Sequence, residues 1–326
     1  LWTPQSGATK IDGGSLGLRH APGGNYGSRG YPLDTATWST AGGGGWIQHF
    51  ANGQAQWSTI AGGRLVSSAI QNRYAGLGGH TGSLGWAMTD QRAASAGGAE
   101  QIFERGAIYW SAQGGARAAT GGIQEAFVAA GGLTSFIGYP LGDAQERTHN
   151  GGGWAQGFQR AAIYWRFGAG YVMYGGIREE YDRHGWSGGE LGWPTTAQDC
   201  GLTPAGCTQT FQNGVIVWSP STPAARIDGA VLATYRAEGA HTGRLGYPTG
   251  GATASSAAGG GVKQSFTGGS IMARKGATAY STWGGIGIAY AAQGAEAGSL
   301  GWPTGSQHCG LAGGGCRQDF QNGALV

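Results

Sequence analysis

Six aromatic residues occupy one repeated position in this chain: Tyr31, Trp86, Tyr139, Trp193, Tyr247 and Trp302. Each could stack on the apolar face of a sugar ring while its phenol or indole proton bonds a hydroxyl. In a glycine-flanked turn the same ring can instead be a plug that locks one unit to its neighbour, and the residue types leave both roles open. A second set, Gln48, Gln101, Gln156, Gln209, Gln264 and Gln318, is the polar residue fixed at one position in every unit. A primary amide carries donor and acceptor, which suits vicinal hydroxyls and equally suits tying a turn to a hairpin backbone. His80 and His241 share the sequence His-Thr-Gly at matching positions and could line a sugar site. Two copies among six units define no metal cage, and no cofactor is expected.

Hydrolytic chemistry is thinly provided for. A glycosidase needs two carboxylates held about 5 to 10 Å apart, and the acidic residues here keep no strict phase. Asp34, Asp90, Asp143 and Asp199 follow their turns loosely, as turn-stabilising aspartates do. Neither a G-x-S-x-G elbow nor H-E-x-x-H is present. Glu179, Glu180, Asp182 and His184 form the densest ionisable cluster and read as the solvated face of a helix.

The elements that must position these residues follow one clock. The landmark turn reads RGYP from Arg29, LGWA from Leu84, IGYP from Ile137, then LGWP, LGYP and LGWP from Leu191, Leu245 and Leu300. Its glycines, Gly30, Gly85, Gly138, Gly192, Gly246 and Gly301, lie 53 to 55 residues apart. Each is followed by Gln-x-Phe, whose Phe falls 18 to 20 residues after the glycine. A turn at Gly53, Gly106, Ala161, Gly214, Gly269 or Gly323 comes next, and alternation then leads to Trp57, Trp110, Trp165 and Trp218, with Ala273 in the fifth copy. That pattern predicts a β-hairpin. The hairpin tryptophans, Trp2 included, face the same choice between platform and plug.

Farther on, Ile70/Tyr74, Ile123/Phe127, Ile177/Tyr181, Val231/Tyr235 and Ile286/Tyr290 mark one face of a short helix. Glycines such as Gly131 and Gly132 end it. Each unit is therefore expected to hold a hairpin with a third short strand, one short helix and a Gly/Pro turn, none able to bury its apolar face alone.

Trp2 to Pro32 aligns without a gap on Trp218 to Pro248, and Gln318 to Val326 matches Gln209 to Val217. Splitting one unit between the termini is how closed propellers seal their sheet. The expected fold is a β-rich α+β repeat protein, a closed six-fold propeller-like ring forming one domain over 1–326. Its units are 33–87, 88–140, 141–194, 195–248, 249–303, and 304–326 joined with 1–32. In the split unit Ser15 and Arg19 stand where the helix pair belongs, so that helix is expected to be frayed or absent.

Composition narrows the function classes. Glycine supplies 70 of 326 residues and only 11% are charged, yet 13 Trp, 13 Tyr and 9 Phe give apolar area enough for a folded core. A net charge of +3 with singly scattered basic residues makes a nucleic-acid partner unexpected. No apolar run approaches the roughly 20 residues that span a bilayer, and no signal-like segment opens the chain, so a mature, soluble product is expected without membrane insertion. Cys200, Cys207, Cys309 and Cys316 allow three connectivities. The repeat favours one, since both pairs fall in the same stretch of their units. Two local disulfides imply an oxidising compartment, and the spacing fits zinc poorly.

The LG-aromatic-Pro turn, in phase with Gln-x-Phe and a glycine-centred hairpin, resembles the LGFP repeat family over essentially the whole chain. Tyr or Trp stands where the family name has Phe, and Ala87 replaces Pro. The resemblance implies an exported actinobacterial module, often attached to mycoloyltransferases, esterases or amidases, that associates with the cell wall through arabinogalactan or peptidoglycan. The expected function is thus a secreted, non-catalytic, multivalent lectin-like module, a monomeric ring whose partner is cell-wall polysaccharide. The competing readings are a glycoside hydrolase, the non-catalytic part of a larger cell-wall enzyme, and a structural envelope protein.

Overall fold

The computed structural model describes residues 30–326, together with the backbone of two short paired strands, Trp2–Thr3 and Gly7–Ala8. Ser15, Arg19 and the side chain of Trp2 lie outside the described residues.

Each repeat turns its sequence clock into a small antiparallel sheet followed by a helix. In the first, strands Thr37–Ser39, Gly45–Phe50, Gly53–Ser58 and Gly62–Ser67 pair in chain order. Helix Ser68–Gly76 and the 3-10 turn Gly79–Thr81 follow. Later helices span Gly121–Ala129, Gly175–Arg183, Gly229–Ala237 and Gly284–Ala292. The sheets of the second, third and fifth repeats also have four strands. The fourth and last sheets have three, and in the fourth the outermost strand shrinks to a bridge between Asp199 and Thr208. The additional outer strand was not expected from the sequence: at two or three residues it is too short to show alternation.

The hairpin follows Gln-x-Phe as expected, with Phe50 opposite Gly53, Phe103 opposite Gly106 and Phe266 opposite Gly269. Close approach requires the glycine, since a Cβ at Gly106 would lie 2.4 Å from the Ala119 carbonyl oxygen.

A nine-residue helix is marginal in water by itself. Here a helix is held between its own sheet and the sheet of the next repeat, as Ser68–Gly76 is between Gly62–Ser67 and the second repeat's strands Gly106–Ser111 and Gly115–Thr120. Its buried Ile or Val and its aromatic carry that contact, and the aromatic stacks on the next Gln-x-Phe ring. Centroid distances are 4.7 Å for Tyr74 on Phe103, 4.8 Å for Phe127 on Phe158, 4.8 Å for Tyr181 on Phe211, 5.0 Å for Tyr235 on Phe266 and 4.4 Å for Tyr290 on Phe320. The tyrosine hydroxyls also donate to the carbonyl of the landmark glycine, at 2.7 Å for Tyr74 to Gly85 and 2.6 Å for Tyr290 to Gly301. Left-handed glycines, Gly78, Gly131, Gly185, Gly239 and Gly294, end the helices.

By its internal contacts the chain divides into two compact units, Leu1–Arg147 with Gly152–Val172, and Thr148–Gly151 with Met173–Val326. Sheet-to-helix handover operates inside each. In the first, Val66, Ile70 and Tyr74 share a core with Phe103, Ile108 and Ala118. In the second, Val231 and Tyr235 share one with Phe266, Ile271 and Ala279.

Candidate functional site

The landmark turn projects its aromatic inward. Trp86, Trp193 and Trp302 are fully buried, and Tyr139 and Tyr247 nearly so. Each spends its polar proton on a backbone carbonyl 43 to 45 residues earlier in the chain. Indole Nε1 of Trp86 donates to Ala41 O at 2.9 Å, that of Trp193 to His149 O at 3.0 Å, and that of Trp302 to Ala257 O at 2.9 Å. Tyr139 and Tyr247 donate through their hydroxyls to Ser95 O and Pro204 O, both at 2.5 Å. These five are corrected from sugar platforms to plugs, because a ring with both faces covered has none to offer a ligand. Tyr31 stays exposed at 58%.

The six glutamines are corrected in the same way. All are at most 2% exposed. In four of them the amide nitrogen donates to two carbonyls: Gln101 to Leu65 and Thr89, Gln156 to Ala118 and Gly142, Gln264 to Arg226 and Gly250, and Gln318 to Ser281 and Gly305, all at 2.8 to 3.0 Å. One carbonyl belongs to the last strand of the preceding repeat and the other to the glutamine's own loop, so the amide staples two repeats. Gln48 and Gln209 donate to their own loops, at Asp34 O and Thr196 O.

His80 and His241 lie over the plugs, 4.6 Å from the Trp86 ring and 5.6 Å from that of Tyr247. His80 also meets the Ser39 hydroxyl at 2.8 Å, and burial, with the neighbouring His49, pulls its imidazole below the usual range. The turn aspartates bond backbone as expected: Asp90 accepts from Leu65 N and Asp143 from Ala118 N. Glu180 departs from the solvated-face reading. It is 2% exposed, pairs with Arg183 and His184, and accepts from Arg226 N of the next repeat. Asp182 has its carboxyl raised by burial, against the opposing charge of Arg178. Among the described residues no group of three His, Cys, Asp or Glu converges as a metal would need. Cys200 is bonded to Cys207 and Cys309 to Cys316.

Among the described residues, one surface open to a ligand is a groove where the helix start of one repeat meets the hairpin of the next. It recurs at equivalent positions. In the second repeat it measures about 540 Å³, lined among others by Ser67, Gln91, Ala93, Ala99 and Trp110. In the third it measures about 290 Å³, with Gly122, Ile123, Trp154 and Trp165. In the fifth it measures about 440 Å³, with Ala230, Val262, Ala273, Arg274 and Lys275. In the third and fourth repeats the hairpin tryptophan seats on the glycine pair that opens the preceding helix: a Cβ at Gly122 would lie 1.7 Å from Trp165 Nε1, and one at Gly176 2.9 Å from Trp218 Cδ1.

What distinguishes the grooves is the residue two before the glutamine, which the register places opposite the hairpin tryptophan. The pairs are Trp46 with Trp57, Ala99 with Trp110, Trp154 with Trp165, and Val262 with Ala273. One strand farther out, Trp38 pairs with Trp46 and Ala93 with Ala99. Trp38 and Trp154 are 49% and 40% exposed. Sequence reading passed over these positions, although counting outward from the two-residue turn would have found them.

A family model described as LGFP repeat matches residues 30–82, 84–135, 137–189, 191–243, 245–298 and 300–326. No curated protein matches. Among solved structures the chain is similar to a streptogramin B lyase, at 9% identity over 89% of this chain and 77% of that one, with a TM-score of 0.14. It is similar to PorZ, a surface component of the type-IX secretion system of Porphyromonas gingivalis, at 13% identity over 84% of this chain and 32% of that one, TM-score 0.18. It is also similar to the extracellular domain of a hybrid two-component system of B. thetaiotaomicron, at 11% identity, 92% and 40% coverage and TM-score 0.16. At TM-scores this low the similarities bear on neither fold nor function.

Proposed function

Starting from the fact that the chain belongs to the LGFP repeat family, we propose that it is a non-catalytic carbohydrate-binding array that holds cell-wall polysaccharide through indole-floored grooves. The observation that carries this reading is the recurrence of half-buried hairpin tryptophans, Trp57, Trp110 and Trp165, at the same position of successive repeats, with Trp38 and Trp154 exposed beside them. An indole with one face seated and the other toward a groove stacks on a sugar without having to be ordered first. Several weak sites along one polymer add by avidity.

The two disulfides favour an oxidising, extracytoplasmic setting, and the reading places the protein at the cell wall, with arabinogalactan or peptidoglycan as partner. For the arrangement of repeats we propose the six-fold ring. Because each sheet takes a covering helix from the repeat before it, the first sheet also requires one. The correspondence of residues 2–32 with 218–248 supplies a matching sequence.

The test is retention on insoluble arabinogalactan and on peptidoglycan, run beside an assay for released sugar. Retention without product is expected, and it should weaken in Trp110→Ala and Trp165→Ala. Released sugar would overturn the reading in favour of a hydrolase. Neither retention nor product would favour a structural role in the envelope.

A further inference from the structure

The grooves share a position but not a capacity. Small-molecule sites have volumes of about 300 to 1,000 Å³. At about 290 Å³ the third repeat's groove sits at the low end of that range, with Trp154 on the rung beside Trp165. The second repeat puts Ala93 and Ala99 on the rungs that Trp38 and Trp46 occupy in the first, and its groove opens to about 540 Å³ over Trp110. A second hollow of about 530 Å³ lies across Ser67, lined by Asn52, Gln71 and Asn72. Ser67 lines both.

The two hollows differ in chemistry in a way that suits successive sugars. One offers an indole face and small apolar walls. The other offers side-chain amides, which donate to and accept from hydroxyls. Charge points to a neutral occupant: Arg92, at the edge of the indole groove, is held by Glu100 at 2.8 Å, and the amide hollow is lined by uncharged side chains.

We propose that these two hollows are adjoining subsites for a linear, uncharged oligosaccharide, with one sugar stacked on Trp110 and its neighbours crossing Ser67 to the amides of Gln71 and Asn72. This rests on the carbohydrate-binding reading and assigns the extended ligand to the second repeat, whose groove is the larger of the two.

Calorimetric titration of the full chain with neutral arabinogalactan oligosaccharides of increasing length tests it. Affinity should rise with length until both hollows are spanned and then level off. Ala99→Trp should weaken binding at least about tenfold, which is about 1.4 kcal/mol, by filling the groove at the rung that Trp154 occupies in the third repeat. Ala93→Trp, at an exposed position whose counterpart is Trp38, should do the same and guards against a folding defect in the first variant. Asn72→Ala should reduce the gain in affinity with length. Affinity independent of length, or both tryptophan variants binding as the unmodified chain does, would overturn the assignment. If the unmodified chain retains no polysaccharide at all, the carbohydrate-binding reading itself fails; if retention persists while these variants are silent, only the subsite assignment fails.

Discussion

At the scale of single residues, the repeated polar and aromatic positions are spent on holding repeats together. Gln264 is the clearest case, because its one amide nitrogen satisfies two carbonyls, Arg226 O and Gly250 O, from different repeats. Gln264→Leu keeps the volume but orphans both acceptors, and each costs about 1 to 3 kcal/mol when buried. A loss of about 2 to 6 kcal/mol in urea denaturation is expected; a change within experimental error would remove the staple from the account. The stacked tyrosines predict a dependence on alkali. Burial raises the phenols of Tyr74, Tyr235 and Tyr290, and pushes Tyr109 up to about 12 against the opposing hydrogen bond from Gln124. Their folded values exceed the unfolded value of about 10, so the stability they contribute is complete below pH 10 and is lost as pH rises through the folded values. For Tyr109 that window runs from about 10 to about 12. Denaturation midpoints should be level up to about pH 10 and fall beyond it, less steeply in Tyr109→Phe. Tyr109 was passed over, but the phase of the glutamines and of Tyr74, Tyr235 and Tyr290 was legible in the sequence. Which way each faced was not, because an amide or an indole satisfies a carbonyl and a hydroxyl with the same atoms.

At the scale of elements, the unit is a helix shared between two sheets. The hairpin and the helix were legible, since Gln-x-Phe with a two-residue turn and an Ile-aromatic pair four apart each carry a period. The outer strand had none to show, and the burial of Glu180 depends on the Arg226 strand of the next repeat, which no local pattern reveals. The glycine pair at the helix start is a packing device, and Gly122→Val should force Trp165 off its seat. Overpacking of this kind costs about 1 to 3 kcal/mol. Differential scanning calorimetry should show the loss, and a red shift in tryptophan emission should accompany it. An unchanged melting temperature would mean that the helix start yields instead. Each disulfide closes a loop of sequence separation 7, for which the chain-entropy model gives about 2.5 kcal/mol. The double change Cys309→Ser with Cys316→Ser should destabilise the last repeat by about that amount, read as earlier hydrogen exchange confined to its amides.

At the scale of the whole molecule, stability in such an array is a sum of small units and the interfaces between them. Core side chains of one repeat, such as Tyr181 and Tyr235, complete the core of the next by stacking on Phe211 and Phe266. A chain cut between repeats therefore carries, at one end, a helix with an uncovered apolar stripe and, at the other, a sheet lacking the helix that should lie on it. Those two surfaces are complementary but sit on opposite ends, so copies can satisfy them only head to tail. A contact of that kind does not close on itself in pairs. Proteolytic or engineered fragments of a few repeats should grow into filaments whose length depends on concentration, and sedimentation at rising concentration would reveal a continuous ladder of sizes in place of one species.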